Sequence, residues 1–357
     1  MERKKKERKL IGRVTLQNIA DEAQISVASV SAVLSNRHIE RRIALGTVEK
    51  VRTVAAKLGY LPNIGARRLR RGESGGSDVI VALITSYEAP FNIANQFVYA
   101  LRRSVAETNQ RPQARAFSLT IEMFYHGRLR ELPGLLTGEH FNAAIIANTT
   151  PLDDQYLSQI HLPYPVVLVD RAVTNYSYVL EDPKTGALAA DVLVRDGRRT
   201  KLAVLHGTPT THTTQARVDN FLAATTRLIG RQPQVIVAKN LSEMGAYEAM
   251  SKFLANGGAI DALYAVSDNL ALGAYHAIMR RKLRIPSDVA VVGTGDNEIS
   301  AFFAPPLSWV GVPRARIGEE VSRLLLAQLD DPSRKAEYSE IPAQTTLRES
   351  TGHRGEF

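Results

Sequence analysis

Four arginines surround one leucine near the end of the first fifth of the chain. Arg67 and Arg68 precede Leu69, and Arg70 and Arg71 follow it. Guanidinium groups suit phosphate oxygens because they carry a fixed charge and donate parallel hydrogen bonds. The segment is too short and too polar to bury Leu69 in a core of its own, so we expect either a second copy of this segment or an unstacked base step to cover it. These residue types indicate chemistry directed at a nucleic acid.

The positive charge of the chain is concentrated in the same region. Residues 1–72 hold 17 Lys and Arg against 6 Asp and Glu, whereas residues 73–357 hold 28 against 30, within a formal total of +9. A basic segment beside a near-neutral body indicates a polyanionic partner, because bound phosphates release condensed counterions. Residues 1–13 lack apolar periodicity and predict a disordered basic tail, which by itself is also typical of a solvated surface segment.

Helical periodicity begins directly after this tail. The apolar spacing predicts three short helices, over 15–23, 27–34 and 45–59. Thr15 and Ser26 precede the first two and are suited to cap them. Three such helices in about 45 residues predict a helix-turn-helix domain over 14–60, whose second helix enters the major groove of DNA.

Two segments resemble the lactose/galactose repressor (LacI/GalR) family: VTLQNIADEAQISVASVSAVLSN at 14–36 and KLGYLPNIGARRLRRGES at 57–74. The resemblance implies that 61–77 holds a hinge helix, which enters the minor groove, and a flexible linker. In the helix-turn-helix it implies DNA contacts from Thr15, Ser26, Val27, Ala28, Ser29, Ser31 and Ala32. In the hinge it implies contacts from Asn63, Ala66, Arg67 and Leu69.

The sequence departs from the family pattern inside this domain. The first turn has Gln24 where the family usually has glycine, so the turn must accept a residue with a side chain. Val27, Ala28 and Ala32 align with operator-reading positions, and none of them can hydrogen-bond a base edge through its side chain. Contacts with thymine methyls, Ser31, the arginine-rich loop and DNA deformability remain as sources of specificity.

From residue 78 onwards, apolar β-branched runs alternate with amphipathic helical segments. Strands are predicted at 78–85, 115–123, 142–147, 166–170, 201–206, 234–238, 262–267 and 289–293. Helices are predicted at 92–109, 184–196, 214–229, 242–256 and 268–283. This alternation predicts parallel sheets covered by helices, and the length of 78–357 favours two α/β lobes with a ligand cleft at the carboxyl ends of the strands.

The body resembles the effector-binding and dimerisation domain of the same family, itself similar to periplasmic sugar-binding proteins. The resemblance rests on segments such as PVVLVDR, DALYAVSDNLALGA and IPSDVAVVGTGDNE. It implies a cleft for a small ligand such as a sugar or a sugar derivative. The residues that it places around this cleft are Phe91, Asp170, Arg217, Ser267, Asp268 and Asp296. Carboxylates and an arginine suit hydroxyl-rich ligands, and an aromatic ring can stack on a sugar ring.

The proposed ligand residues also have structural interpretations. Asp170 beside Arg171 is typical of an ion pair at a strand end, and Asp268 is typical of a helix N-cap. Gly295 stands where the family commonly has an acid that contacts the ligand, and Val312 stands where it commonly has Gln. Because two polar groups are missing, a typical sugar ligand does not follow from the resemblance.

The sequence lacks the motifs of several enzyme classes. It has no GK[ST] loop, no H-E-x-x-H and no G-x-S-x-G, and its eight histidines show no metal-pair spacing. We therefore expect no catalysis, no cofactor and no metal. The absence of cysteine is compatible with a reducing compartment, and no apolar run of membrane-span length or secretory signal is visible. These observations predict a cytoplasmic protein that is associated with the nucleoid when it binds DNA.

Together the two halves predict a transcriptional regulator, a repressor, that binds a pseudo-palindromic operator as a homodimer under allosteric control by a small effector. The segment TLRESTGHRGEF at the end has no heptad repeat, so no tetramer-forming coil is predicted. The alternative is a solute-binding protein of a transport system, which would share the two lobes. Such a protein would be exported and indifferent to DNA.

Overall fold

The chain forms two compact units, Met1–Ser74 and Gly75–Phe357. The computed structural model describes residues 15–34, 38, 41–58, 79–89, 98–99, 102–103, 106, 117–138, 140–296, 298–331 and 334–353. The tail, the hinge contacts and one ligand contact of the sequence predictions lie outside the described residues: 1–13, Asn63, Ala66, Arg67, Leu69 and Phe91. These predictions therefore stay predictions.

The described part of the first unit is a three-helix domain. Its helices are α1 (Leu16–Ala23), α2 (Val27–Leu34) and α3 (Leu45–Lys57). They surround a small core that contains Ile19, Ala20, Val30, Val33, Val48, Val51 and Ala55. The predicted three helices are confirmed, and their apolar spacing is what directs these side chains towards one another.

Local side-chain chemistry sets the boundaries of α1 and α2. The Thr15 hydroxyl accepts the Asn18 N–H at 3.3 Å, and the Asn18 side chain accepts the Thr15 N–H at 2.8 Å, which completes a capping box. Gln24 then adopts left-handed backbone angles, φ 51° and ψ 46°. The turn therefore accepts a residue with a side chain, at a conformational cost of about 1–2 kcal/mol that glycine would avoid.

The second unit contains two six-stranded sheets, each of which defines a lobe. Lobe 1 consists of β1 (Val79–Ser86), β2 (Phe117–Phe124), β3 (Ala143–Ile146), β4 (Val166–Val169), β5 (Ser177–Glu181) and β11 (Tyr338–Ile341). Lobe 2 consists of β6 (Leu202–Gly207), β7 (Gln234–Ala238), β8 (Ala262–Ala265), β9 (Ala290–Thr294), β10 (Ser308–Gly311) and β12 (Gln344–Thr346). The strand orders are β11-β5-β4-β3-β1-β2 and β12-β10-β9-β8-β6-β7.

The two sheets have nearly the same pairing. All strand pairs in lobe 1 are parallel, and in lobe 2 only β10 and β12 are antiparallel, with Trp309 opposite Thr346. Continuous buried runs such as VVLV in β4 and ALYA in β8 are typical of sheets covered on both faces. The predicted two-lobed α/β architecture is confirmed.

Helices cover both sheets. They are α4 (Pro151–Ser158), α5 (Thr185–Ala190), α6 (His212–Ile229), α7 (Glu243–Ala255), α8 (Asp268–Arg280) and α9 (Arg314–Asp330), and α5 continues as a π-helical segment, Asp191–Asp196. Although α9 follows a strand of lobe 2, its Ile317 and Val321 pack with Val81 and Val167 of lobe 1. The chain therefore crosses between the lobes before α9.

Several elements were not predicted from the sequence. The strands β5, β10, β11 and β12 and the helices α4 and α9 are missing from the predicted set. Short strands such as QTT in β12 carry little apolar pattern of their own. The predicted helix over 184–196 keeps regular α-helical geometry only to Ala190, and most of the helix predicted over 92–109 lies outside the described residues. Within the described part of the chain, no helix is both long and apolar enough to span a membrane.

Candidate functional site: the cleft between the lobes

A polar cleft lies between the carboxyl ends of the two parallel sheets. Its inner part is a cavity of about 60 Å³, and an outer part of about 640 Å³ shares Glu88, His126 and Leu241 with it. The inner walls come from segments after β1, β2, β3 and β4 in lobe 1 and from the start of α6 in lobe 2. This is the place where open parallel sheets bind ligands, since loop side chains converge there.

Asp170 lies in the inner cavity, as the sequence predicted, directly after β4. Its backbone has φ 57°, which turns the chain sharply at the strand end. One carboxylate oxygen, Oδ1, accepts the Glu181 N–H at 3.0 Å. Burial and the neighbouring Glu181 carboxylate raise the pKa of Asp170, while Arg314, Arg217 and Arg171 oppose that rise. The proposed ion pair of Asp170 with Arg171 does not form, because Arg171 donates to the Asp170 carbonyl oxygen instead.

Arg217 also lines the cavity, but its guanidinium already has protein partners. Its Nε and Nη2 donate to the two carboxylate oxygens of Glu181 at 2.6 and 2.5 Å, and Nη1 donates to the Val266 carbonyl oxygen at 2.9 Å. Burial alone lowers the pKa of Arg217, but the Glu181 carboxylate outweighs that effect and raises it. Because Glu181 ends β5 and Arg217 lies on α6, this buried ion pair joins the two lobes.

Close helix packing positions Arg217. A Cβ atom added at Gly186 of α5 would overlap the carbonyl oxygen of Arg217 and approach the backbone nitrogen of Phe221 to 2.8 Å. Only a residue without a side chain lets α6 come this near to α5. The close approach of α6 to α5 at Gly186 therefore places Arg217 within reach of Glu181.

Arg171 forms a second link between the lobes. It is only 4% exposed, and its Nε donates to the Thr149 hydroxyl at 3.0 Å while an ion pair of 3.4 Å joins it to Asp154. Its Nη1 lies 3.4 Å from the Thr213 hydroxyl of α6. Burial lowers the pKa of Arg171, and the Asp154 carboxylate opposes that shift.

The other predicted ligand residues lie at the ends of α8 and α9. Ser267 caps α8 by accepting the Leu270 N–H at 3.4 Å. The N-cap of α8 is therefore Ser267, and the N-cap role that the sequence suggested for Asp268 is wrong. Asp268 is buried against Gly295, which has φ 136°. Asp296 accepts the Arg314 backbone N–H at 2.9 Å. Ser267, Asp268 and Asp296 do not line the inner cavity, and no observation tests their predicted ligand contacts.

Sequence reasoning missed several polar groups in the cleft, including Arg314, His126 and Thr213. Arg314 lines the inner cavity from the first turn of α9. His126 lines both parts, and its Nε2 lies 2.8 Å from the Ser86 hydroxyl. Thr213 faces Arg171. Only Arg314 had a sequence signal, because it begins the amphipathic run RARIGEEVSRLLL after a proline.

The second helix of the first unit offers a small polar surface. Ala28 and Ser26 are exposed, and Val27, Ser29 and Ser31 are partly exposed. The Ser26 hydroxyl accepts the Ser29 N–H at 3.2 Å and thereby caps α2. Thr15 is exposed at the start of α1, whereas Ala32, which was also predicted to contact DNA, is only 7% exposed. The surface that α2 presents therefore runs through Ala28 and the serines and does not include Ala32.

Comparison with protein families gives one match in each of the two units. Residues 15–63 match the family described as bacterial regulatory proteins, lacI family, and residues 190–351 match the periplasmic binding protein-like domain. The chain belongs to the lacI family. Within the described residues of this lacI-family protein, no group of three or more His, Asp or Glu side chains is arranged to hold a metal ion.

Relatives match this lacI-family protein over nearly its whole length. The ribose operon repressor of Haemophilus influenzae is 25% identical over 345 residues, which cover 94% of this chain and 98% of the relative. The probable HTH-type transcriptional repressor ExuR of Bacillus subtilis is 26% identical over 339 residues, covering 91% and 94%. Both relatives are named as repressors.

Solved structures share the fold. The lac repressor dimer bound to operator and the anti-inducer ONPF gives a TM-score of 0.67 at 23% identity, and the match covers 95% of this chain and 99% of that one. The transcriptional regulator CelR in complex with cellobiose gives a TM-score of 0.65 at 22% identity, covering 95% and 100%. At these identities the likeness is one of fold.

Proposed function

We propose that this lacI-family protein is a transcriptional repressor whose affinity for operator DNA is controlled by a small molecule bound between the lobes. The observation that carries the proposal is the presence, in one chain, of a capped helix-turn-helix in the basic first unit and a polar interlobe cleft in the second. An exported solute-binding protein would have no use for the first unit. The chain then acts in the cytoplasm, without catalysis or a cofactor.

The first unit is suited to DNA through shape and charge. The exposed part of α2 carries small side chains at Ala28, Ser29 and Ser31, which let a helix lie close to the groove floor. The methyl group of Ala28 can contact thymine methyls, and the serine hydroxyls can meet base edges or phosphates. We assign the hinge contacts to Asn63, Ala66, Arg67 and Leu69 on the basis of sequence alone.

The cleft gives the ligand a means of control. Two links join the lobes there, the buried ion pair of Arg217 with Glu181 and the contact of Arg171 with Thr213. A ligand can shift the lobes only if it binds one arrangement more tightly than the other. Asp170 lines the cavity and accepts the Glu181 N–H, so a ligand that binds Asp170 would also act on the first link.

We further propose that the protein acts as a homodimer through an apolar face of lobe 2. Met244 of α7 is 61% exposed, and Leu272 and Met279 lie exposed on one side of α8. Phe302, at the end of the 3-10 helix Glu298–Phe302, is 82% exposed. The ring centroids of Tyr247 and His276 lie 5.1 Å apart, with the rings tilted by 50°, and this contact joins α7 to α8. Large apolar side chains that are exposed on one domain are typical of protein interfaces.

The test begins with selection of operator DNA from random duplexes by the full-length protein. Affinity for the selected duplex is then measured by fluorescence anisotropy as a function of salt. We expect a pseudo-palindromic sequence and a steep fall of affinity with salt, because many phosphates are neutralised. Failure to enrich any sequence would contradict the proposal.

A pair of substitutions locates the interface. Ala28→Asp places a negative charge on the exposed part of α2 and should abolish binding to the selected duplex. Thr53→Asp, at an exposed position of α3, is the matched control and should bind within about threefold of wild type. Equal loss in both variants would mean that the acid disturbs the whole domain and that α2 is not the reading helix.

A further inference from the structure

The three arginines of the inner cavity differ in what they contact. Arg217 is held by both carboxylate oxygens of Glu181, and Arg171 is held by Thr149, Asp154 and the Asp170 carbonyl. Among the residues that the structure describes, no side chain or carbonyl is hydrogen-bonded or ion-paired to the guanidinium of Arg314. Within the described part of the chain, Arg314 is thus the cleft arginine whose guanidinium donors have no protein acceptor.

The backbone around Arg314 is fixed. Its N–H donates to Asp296 at 2.9 Å, and the helix it begins packs against lobe 1 through Ile317 and Val321. The Arg314 charge opposes the rise in the pKa of Asp170, so the guanidinium and the carboxylate act on each other across the cavity. No ion pair joins them within the described structure, and both groups line the inner cavity.

The opposite wall is also suited to negative charge. Thr211, Thr213 and Thr214 line the cavity at the start of α6, an 18-residue helix whose first turn has no acidic residue. Hydroxyl groups and the positive end of a helix both favour an anion, although by themselves they do not select one. They stand across the cleft from Arg314, on the other lobe.

The acidic groups of the cleft are already engaged in part. Both oxygens of Glu88 lie within 3.4 Å of the His126 backbone N–H. The Oδ1 atom of Asp170 accepts the Glu181 N–H, which leaves Oδ2 to accept from a ligand hydroxyl. Among the described residues, the guanidinium of Arg314 and an available carboxylate oxygen of Asp170 face a wall of hydroxyls, which suits a ligand with an anionic end and a hydroxylated end.

We propose that the effector is a small hydroxylated anion, a sugar acid or a sugar phosphate, whose anionic group binds Arg314 and whose hydroxyls bind Asp170 and the threonines of α6. This inference rests on the proposed function, because it names the ligand class of the same cleft. It makes Arg314 the residue that determines specificity for charge.

The experiment is isothermal titration calorimetry of the full-length protein with matched probes. Glucuronate and gluconate test a carboxylate, glucose 6-phosphate and ribose 5-phosphate test a phosphate, and glucose and ribose are the neutral controls. We expect at least one anionic probe to bind at least tenfold more tightly than its neutral counterpart. The proposal is overturned if no anionic probe binds, or if a neutral sugar binds as tightly as its acid or phosphate.

Two variants assign the charge to one side chain. Arg314→Met should weaken binding of the anionic probe about 10- to 100-fold, the range for loss of a charge-assisted hydrogen bond, and Arg314→Lys should recover part of it. Arg316→Met removes an exposed arginine from the same helix turn and should leave binding unchanged. Equal affinity of wild type and Arg314→Met would overturn the role of Arg314.

Operator binding separates this proposal from the proposed function. Arg314→Met without ligand should bind the selected duplex as wild type does, since the residue lies in the cleft. If the wild type binds an anionic probe but no operator, the ligand class stands and the proposed function fails. If the operator is bound and only neutral sugars bind the cleft, the proposed function stands and this inference fails.

Discussion

The two lobes are built on the same strand order but present different chemistry to the cleft at equivalent positions. In lobe 1 the residue after β4 is Asp170, with φ 57°, and in lobe 2 the residue after the corresponding strand β9 is Gly295, with φ 136°. The carboxylate of Asp170 lines the inner cavity, whereas the space beside Gly295 is filled by the carboxylate of Asp268. Lobe 2 therefore has no room for a second acid at this position.

This difference shows how one topology can be adapted to a particular ligand. Lobe 1 contributes two acids, Glu88 and Asp170, and two arginines to the inner cavity, while lobe 2 contributes threonine hydroxyls and an arginine that is already paired. The lobes meet through that pair, Arg217 with Glu181. Polar side chains in the cleft are thus divided between those that hold the lobes together and those that remain for a ligand.

The largest effect should come from breaking the ion pair between the lobes. Glu181→Ala leaves the Arg217 charge buried without its carboxylate and should lower the free energy of unfolding of the effector unit by about 3–5 kcal/mol. Urea unfolding of the full-length protein, followed by circular dichroism, measures the change. Glu248→Ala removes one partner of the exposed pair with Lys239 and should cost less than about 1 kcal/mol. Similar losses in both variants would show that the pair does not hold the lobes together.

A second prediction tests the difference between Asp170 and Gly295 directly. Gly295→Asp introduces a Cβ that overlaps the Asp268 carboxylate, at a φ that disfavours a side chain, and should destabilise the protein by about 2–4 kcal/mol. Adding Asp268→Gly should recover part of the loss, as measured by the same unfolding curves. If Gly295→Asp is as stable as wild type, the two positions are equivalent and the comparison of the lobes fails.

The pH dependence of stability should identify Asp170. Because burial and Glu181 raise its pKa, the folded state retains this proton at pH values where the unfolded chain has lost it. Its contribution to stability therefore falls as the pH rises above the ordinary carboxyl value of 3.8 and is least favourable above the raised pKa. Asp170→Asn should be more stable than wild type at pH 7, and the difference should shrink as the pH is lowered towards 4. A constant difference in thermal unfolding across this range would contradict the assignment.

The smallest effect should follow from the second link between the lobes. Thr213→Val removes the hydroxyl that lies 3.4 Å from Arg171, and Arg171 keeps its contacts with Thr149 and Asp154. We expect a loss of about 0.5 kcal/mol or less, since the contact is long and partly exposed. Thr211→Val, which removes the cap of α6, should cost more, about 1 kcal/mol. The reverse order would make Thr213 an essential link between the lobes.

Much of the fold follows from local patterns in the sequence. The spacing of apolar residues predicts α1, α2 and α3, and runs such as AAII and VVLV predict β3 and β4, because helical and extended backbones direct side chains with fixed periods. The separation of basic residues from the near-neutral body also needs no structure. The turn at Gln24 could be located from the family pattern, but the left-handed backbone angles that Gln24 adopts there could not.

The tertiary structure decided which charged groups remain for a ligand. Arg217 is predicted as a ligand contact by its position, yet its partner Glu181 lies 36 residues away and comes within reach only because Gly186 lets two helices approach. Arg314 lies in the cleft because the chain leaves lobe 2 before α9, and α9 then packs on lobe 1. Side-chain periodicity is a property of the local backbone, whereas the pairing of charges depends on distances between elements that are remote in sequence, and only the packed lobes set those distances.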